Sequence, residues 1–274
     1  MKLGVSKPFP HESPEDWAQK HKEQGLSSVV FPCKATEPLA RIDAYRDAAA
    51  SYGLEIAEVG AWSNPMSPDR AKREDALSKC IRELELAEYL GAKCCVNISG
   101  ALGEKWDGSY PGNYAEGTYE KIILTTQKII DAVKPKKTAY SLEPMPHMLP
   151  DSPEVYLQML KDIDRKGFGV HLDVVNMLTS ARVFFGFRDL VDRCFDLLGG
   201  HILSCHLKDA ALDHTLTVSI REVPIGEGDL DLGYYMQKAD ACNPDLPMII
   251  EHQTSVENYY TAVPYILNLY KNVK

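Results

Sequence analysis

Four short runs of the chain each carry, near a strand's end, a residue type that binds metal ions: Ser141-Leu142-Glu143-Pro144, His171-Leu172-Asp173, Cys205-His206-Leu207-Lys208-Asp209 and Ile249-Ile250-Glu251-His252. The intervals between Glu143, Asp173, His206 and Glu251 are 173 − 143 = 30, 206 − 173 = 33 and 251 − 206 = 45 residues. Each of the first two suits one strand followed by one helix, so the four side chains can meet if their strands lie side by side. Three carboxylates and one imidazole form an oxygen-rich donor set suited to a divalent cation, with Mn²⁺ favoured, Co²⁺ and Mg²⁺ also suited and Zn²⁺ an alternative. Three acids buried together also demand a cation, because like charges at short range do not all stay ionised without one. Taken singly, a strand-end Glu more often pairs with Arg or Lys, and a lone His on an apolar strand is usually a core residue. Convergence of four such residues favours the metal.

Other polar residues accompany the quartet. Lys208 shares the inward parity of His206, since strand side chains repeat every second residue, and it can meet a substrate oxyanion or neutralise Asp209 or Glu227. His147 follows Glu143 in a loop and is either a substrate contact or a solvated histidine. His171 points inward but deeper than Asp173, which suits a core role or one behind the ligands. Trp62 offers an apolar wall for a substrate ring or is an ordinary packing residue, and Arg221 and Glu222 can line the mouth, with surface ion pairing as the ordinary alternative.

The elements that would position these groups follow from the hydrophobic rhythm. Short apolar runs at Leu3–Ser6, Ser28–Phe31, Glu55–Trp62, Cys94–Ile98, Ala139–Met145, Gly169–Val174, Ile202–Leu207 and Met248–Glu251 alternate with amphipathic segments. Helix starts are marked by Ser13-Pro14-Glu15-Asp16 and Ser152-Pro153-Glu154, and ends by Gly53 and Gly91. The stretch from Lys208 to about Asp231 reads as irregular. Eight βα units with no Pro/Gly/Ser linker between them predict an α/β fold, a (β/α)8 TIM barrel forming a single domain over residues 1–274.

Composition narrows the partners. The 274 residues carry 30 basic and 39 acidic side chains, a formal charge of −9 with no cluster of Lys and Arg, which argues against nucleic acid and anionic membranes. Seven cysteines without a CxxC spacing suggest neither a disulfide framework nor a zinc knuckle, and fit a reducing, cytoplasmic setting. No apolar stretch approaches the ~18 residues of a membrane span, and no dinucleotide or nucleoside triphosphate motif occurs.

The eight-unit pattern and the four strand-end motifs together resemble the sugar isomerase and epimerase superfamily, a xylose-isomerase-like TIM barrel, over nearly the whole chain. The segments Glu58-Val59-Gly60-Ala61-Trp62-Ser63-Asn64-Pro65 and Pro224-Ile225-Gly226-Glu227-Gly228-Asp229 also look like members of that group. The resemblance implies that Glu143, Asp173, His206 and Glu251 bind one divalent metal, and that Glu143 and Glu251 act on opposite faces of a sugar carbon. It implies an isomerase or epimerase of carbohydrate metabolism that works through an enediolate, in a chain that forms homo-oligomers in some relatives. Many relatives place His three positions after the strand-six acid, where this chain has Asn176, which can still bind a substrate hydroxyl but cannot shuttle a proton. That departure keeps a second reading open: a lyase that expels a β substituent from a keto-sugar, an inosose or a 3-oxo-glycoside.

Overall fold

The computed structural model describes residues 1–273. Eight strands, β1 (Lys2–Val5), β2 (Ser28–Val30), β3 (Glu55–Gly60), β4 (Cys94–Asn97), β5 (Ala139–Leu142), β6 (Phe168–Leu172), β7 (Ile202–Leu207) and β10 (Pro247–Ile250), form one sheet in the order β1-β10-β7-β6-β5-β4-β3-β2. Every paired neighbour is parallel. The first and last strands also approach each other: Ser27 N–H donates to Leu3 O at 3.0 Å and the Ser28 hydroxyl to Lys2 O at 3.1 Å. The expected (β/α)8 barrel is therefore the fold. Gly4 permits this closure, because a Cβ there would sit 2.6 Å from Ile249 Cδ1 and 2.8 Å from Ser28 O.

The helices that surround the sheet are α1 (Pro14–Glu23), α2 (Leu39–Ser51), α3 (Arg70–Leu90), α4 (Thr118–Val133), α5 (Pro153–Ile163), α6 (Ala181–Phe185), α7 (Phe187–Leu198), α8 (Leu232–Cys242) and α9 (Val256–Val273). Their starts have local causes. Ser13, Asp69, Ser152 and Asp231 each accept a hydrogen bond from the amide three residues on, and Pro14 and Pro153 open α1 and α5, where the missing N–H costs nothing. Gly91 ends α3 at φ 68°, a conformation that a side chain disfavours. Buried Trp17, Tyr156, Tyr235 and Leu84 fill the layer between helices and sheet. Tyr156 also ties two strands, its hydroxyl donating to Leu142 O at 2.6 Å and accepting from His171 N–H at 3.3 Å.

The structure differs from the sequence reading in one stretch. The segment after β7, expected to be irregular, contains an antiparallel hairpin of β8 (Asp209–Leu212) and β9 (Ile220–Val223) that stands apart from the barrel sheet. Among the described residues no helix is long and apolar enough to cross a membrane.

Candidate metal centre

The barrel interior is polar at the carboxyl ends of β5 to β7 and β10. Glu143 and Glu251 sit one residue past β5 and β10, held in the ladder by Glu143 N–H to Asn97 O at 2.7 Å and Glu251 N–H to Leu207 O at 3.2 Å. Asp173 follows β6, and its Oδ1 accepts Asn176 N–H at 3.0 Å, which turns Oδ2 towards the barrel axis. His206 lies within β7, its backbone in register with Ile249 of β10. All four residues are buried or nearly so, and one ligand atom from each lies within 4.8 Å of every other.

His206 Nδ1 stands at the centre of this cluster. It is 2.9 Å from Glu143 Oε1, 3.0 Å from Glu251 Oε2 and 3.6 Å from Asp173 Oδ2. One imidazole nitrogen has at most one proton to share among three carboxylate oxygens. Glu251 Oε2 and Asp173 Oδ2 are buried without a hydrogen bond, Asp173 Oδ2 making ion contacts with Lys208 Nζ at 2.8 Å and His206 Nδ1 at 3.6 Å. Three carboxylates and one ammonium give −3 + 1 = −2, the charge that a divalent cation offsets. Donor chemistry, unsatisfied oxygens and charge all fit a hard dication.

The buried groups of the cluster perturb one another. Burial lowers the His206 pKa, yet Glu251, Glu58 and Glu143 outweigh it and hold the imidazole well above its usual range. Burial and the Glu251 charge raise Glu143. Burial raises Glu251 as well, but His206 and then Lys208 bring it down to about 2. Against the same burial, Lys208 and His206 keep Asp173 well below the carboxylate range.

A cavity of about 430 Å³ opens above the cluster. Of the quartet, Glu143 and Glu251 line it, while Asp173 and His206 do not. Trp62 lines one side with Ile98 and Met145, as an apolar wall. His147 lines the opening, its Nε2 2.8 Å from Asp107 O. Asn176 also lines the cavity, but its amide is engaged: Nδ2 donates to Pro144 O at 3.0 Å and Oδ1 accepts from Lys208 Nζ at 2.8 Å.

Lys208 lies 1% exposed behind the ligands and does not line the cavity. Its partners are Asp173, Asn176 and Glu222, not Asp209 or Glu227. Asp209 instead accepts the backbone N–H groups of Gly226 and Gly228 at 3.0 and 3.1 Å. The expectation for Arg221 needs correction: it is exposed on the outer side of the hairpin and pairs with Asp213 at 2.9 Å. Its neighbour Glu222 faces the cavity, because successive residues of a strand point to opposite sides. Glu222 bridges Lys208 Nζ at 3.0 Å and His252 Nδ1 at 2.7 Å. His252 also lines the cavity, from a left-handed backbone at φ 53° that non-glycine residues rarely adopt. Sequence reasoning passed over His252 and the deeper Glu58, although each lies in a segment it singled out, and Trp106, which also lines the cavity.

The chain belongs to the xylose isomerase-like TIM barrel family, whose profile matches residues 18–268. An uncharacterized protein of Methanocaldococcus jannaschii is 28% identical over 189 residues, covering 66% of this chain and 62% of that protein, so the chain spans less than two thirds of the curated relative it matches. Among solved structures, a D-tagatose 3-epimerase-like protein superposes with a TM-score of 0.74 at 22% identity, covering 100% of this chain and 98% of the other. The probable 3-DHS dehydratase AsbF of Bacillus anthracis, involved in petrobactin synthesis, gives a TM-score of 0.74 at 16% identity, with 98% and 99% covered. At these identities the likeness is one of fold.

Proposed function

We propose that the protein is a divalent-metal-dependent isomerase or epimerase of a small sugar, with Glu143, Asp173, His206 and Glu251 as metal ligands and the two glutamates as proton carriers. One observation carries the reading: only Glu143 and Glu251 belong to both the buried cluster and the open cavity, so only they reach a cation and a substrate together. A dication held there, with Mn²⁺ preferred by the oxygen-rich donor set, supplies the Lewis acid that acidifies a C–H beside a carbonyl. One of the two glutamates takes that proton and one returns it, both carboxylates lining the cavity. Return by the other glutamate to the opposite face of the same carbon inverts its configuration; return to the neighbouring carbon on the same face, with the hydroxyl proton passing to the former carbonyl oxygen, moves the carbonyl. Trp62 walls the sugar ring, while Asn176 and Lys208 brace Glu143 and Asp173, and His147 offers a contact for a substrate hydroxyl.

A lyase acting on a keto-sugar is the second reading. It is favoured by His147 and His252, two imidazoles at the cavity that can hand a proton to a departing β substituent, a step that exchange between two glutamates does not require. The protein loaded with Mn²⁺ and incubated in D₂O with ketoses, inososes and 3-oxo-glycosides distinguishes the two by NMR. Deuterium in a rearranged sugar is the expected result. Release of an aglycone or water with an enone selects the lyase, and absence of both exchange and product across the panel overturns both readings.

A further inference from the structure

The interior of a parallel barrel is ordinarily packed with branched apolar side chains, yet Glu58 of β3 lies there at 1% exposure. Its partners all come from β6 and β7. Oε1 accepts from the Ser204 hydroxyl and lies 3.2 Å from His171 Nε2, while Oε2 lies 3.4 Å from His206 Nε2. The His171 ring meets the His206 ring edge-on, with centroids 4.1 Å apart at 80°. The His206 imidazole is thus fixed from below by a carboxylate on Nε2 and a packed ring, while Nδ1 faces the three ligand carboxylates.

We infer that Glu58 is a positioning residue for the metal centre: it holds the His206 proton on Nε2, so that the Nδ1 lone pair is presented to the cation. The inference rests on the metal reading given above. A neutral imidazole carries one proton, and the ring nitrogen that faces a carboxylate keeps it. An ionised carboxylate only accepts, so Glu58 cannot take the Nδ1 role from the cluster. Glu58, His171 and His206 also bring ligand atoms within 4.8 Å of one another. A second cation there would need both nitrogens of His206 stripped of protons, which favours the hydrogen-bonded role.

Mn²⁺ binding, followed by the EPR signal of the free ion, tests the inference in wild type, Glu58→Gln and Glu58→Asp. Wild type is expected to bind one ion per chain, Glu58→Gln about 10- to 100-fold more weakly, and Glu58→Asp to recover part of the loss. Zn²⁺-loaded wild type labelled with ¹⁵N-histidine supplies a readout that needs no variant: His206 should carry a slowly exchanging proton on Nε2. A proton on Nδ1 in the loaded protein overturns the inference. So does Glu58→Gln binding as tightly as wild type, or two ions per chain in wild type. Wild type that binds no ion overturns the metal reading itself, a result distinct from any change confined to the Glu58 variants.

Discussion

Glu143 and Glu251 differ from Asp173 and His206 in reaching the open cavity as well as the cluster, and the proposed division between proton carriers and residues that only hold an ion rests on that difference. Glu251→Gln preserves shape and removes one of the two proton carriers. It is expected to lower solvent deuterium exchange into substrate by about 10²- to 10⁴-fold while calorimetric substrate binding is largely retained, and a fully active variant would remove Glu251 from the mechanism. The quartet was legible in the sequence because each member lies at or near the end of an apolar run, so its place towards a strand end followed from the run itself. Glu58 was not, because Glu55 and Glu58 fall on opposite faces of the strand Glu55-Ile56-Ala57-Glu58-Val59-Gly60 and the run itself does not say which face is the barrel interior. Arg221 and Glu222 were separable only by the parity of a strand that sequence reasoning passed over.

That strand belongs to the element with the most local consequence for the site. The hairpin of β8 and β9 carries Glu222 onto Lys208 and His252, and the loop after it is tied down by Asp209. Gly228 fits only because it lacks a side chain, since a Cβ there would stand 2.1 Å from Asp209 Oδ1. Asp209→Ala leaves the amides of Gly226 and Gly228 without their acceptor and is expected to cost about 1–3 kcal/mol in denaturant unfolding, with a raised KM as Glu222 loosens. Unchanged stability would show that water replaces the carboxylate. Eight strands could be read from the alternation of apolar runs with capped helices. The hairpin was passed over: Leu216-Thr217-Val218-Ser219-Ile220-Arg221 alternates apolar and polar residues as a strand does, but its partner arm, Asp209–Leu212, follows the seventh strand with no turn signal between them.

Over the whole molecule, the buried charges link metal, proton and stability. The metal-free protein holds His206 above its ordinary pKa of 6.5, so the stability this gives is complete below 6.5 and is lost as pH rises through the higher folded value. Glu143, raised above 4.5, acts in the same direction, whereas the depressed Asp173 and Glu251 matter only in acid. A bound cation takes the place of the His206 proton and removes the loss, so the rise in Tm on adding Mn²⁺ is expected to be larger at pH 8 than at pH 6. An increment independent of pH would mean that His206 gives up no proton to the ion. The formal charge of −9 includes acids buried inside the barrel, Glu58, Glu143 and Asp173 among them, rather than displayed to solvent. The most direct test of the account is the metal stoichiometry of chelator-stripped wild type titrated with Mn²⁺. One ion per chain, lost in Asp173→Asn and His206→Asn proteins that keep their fold, is the predicted result, and a folded wild type that takes up no divalent ion would contradict it.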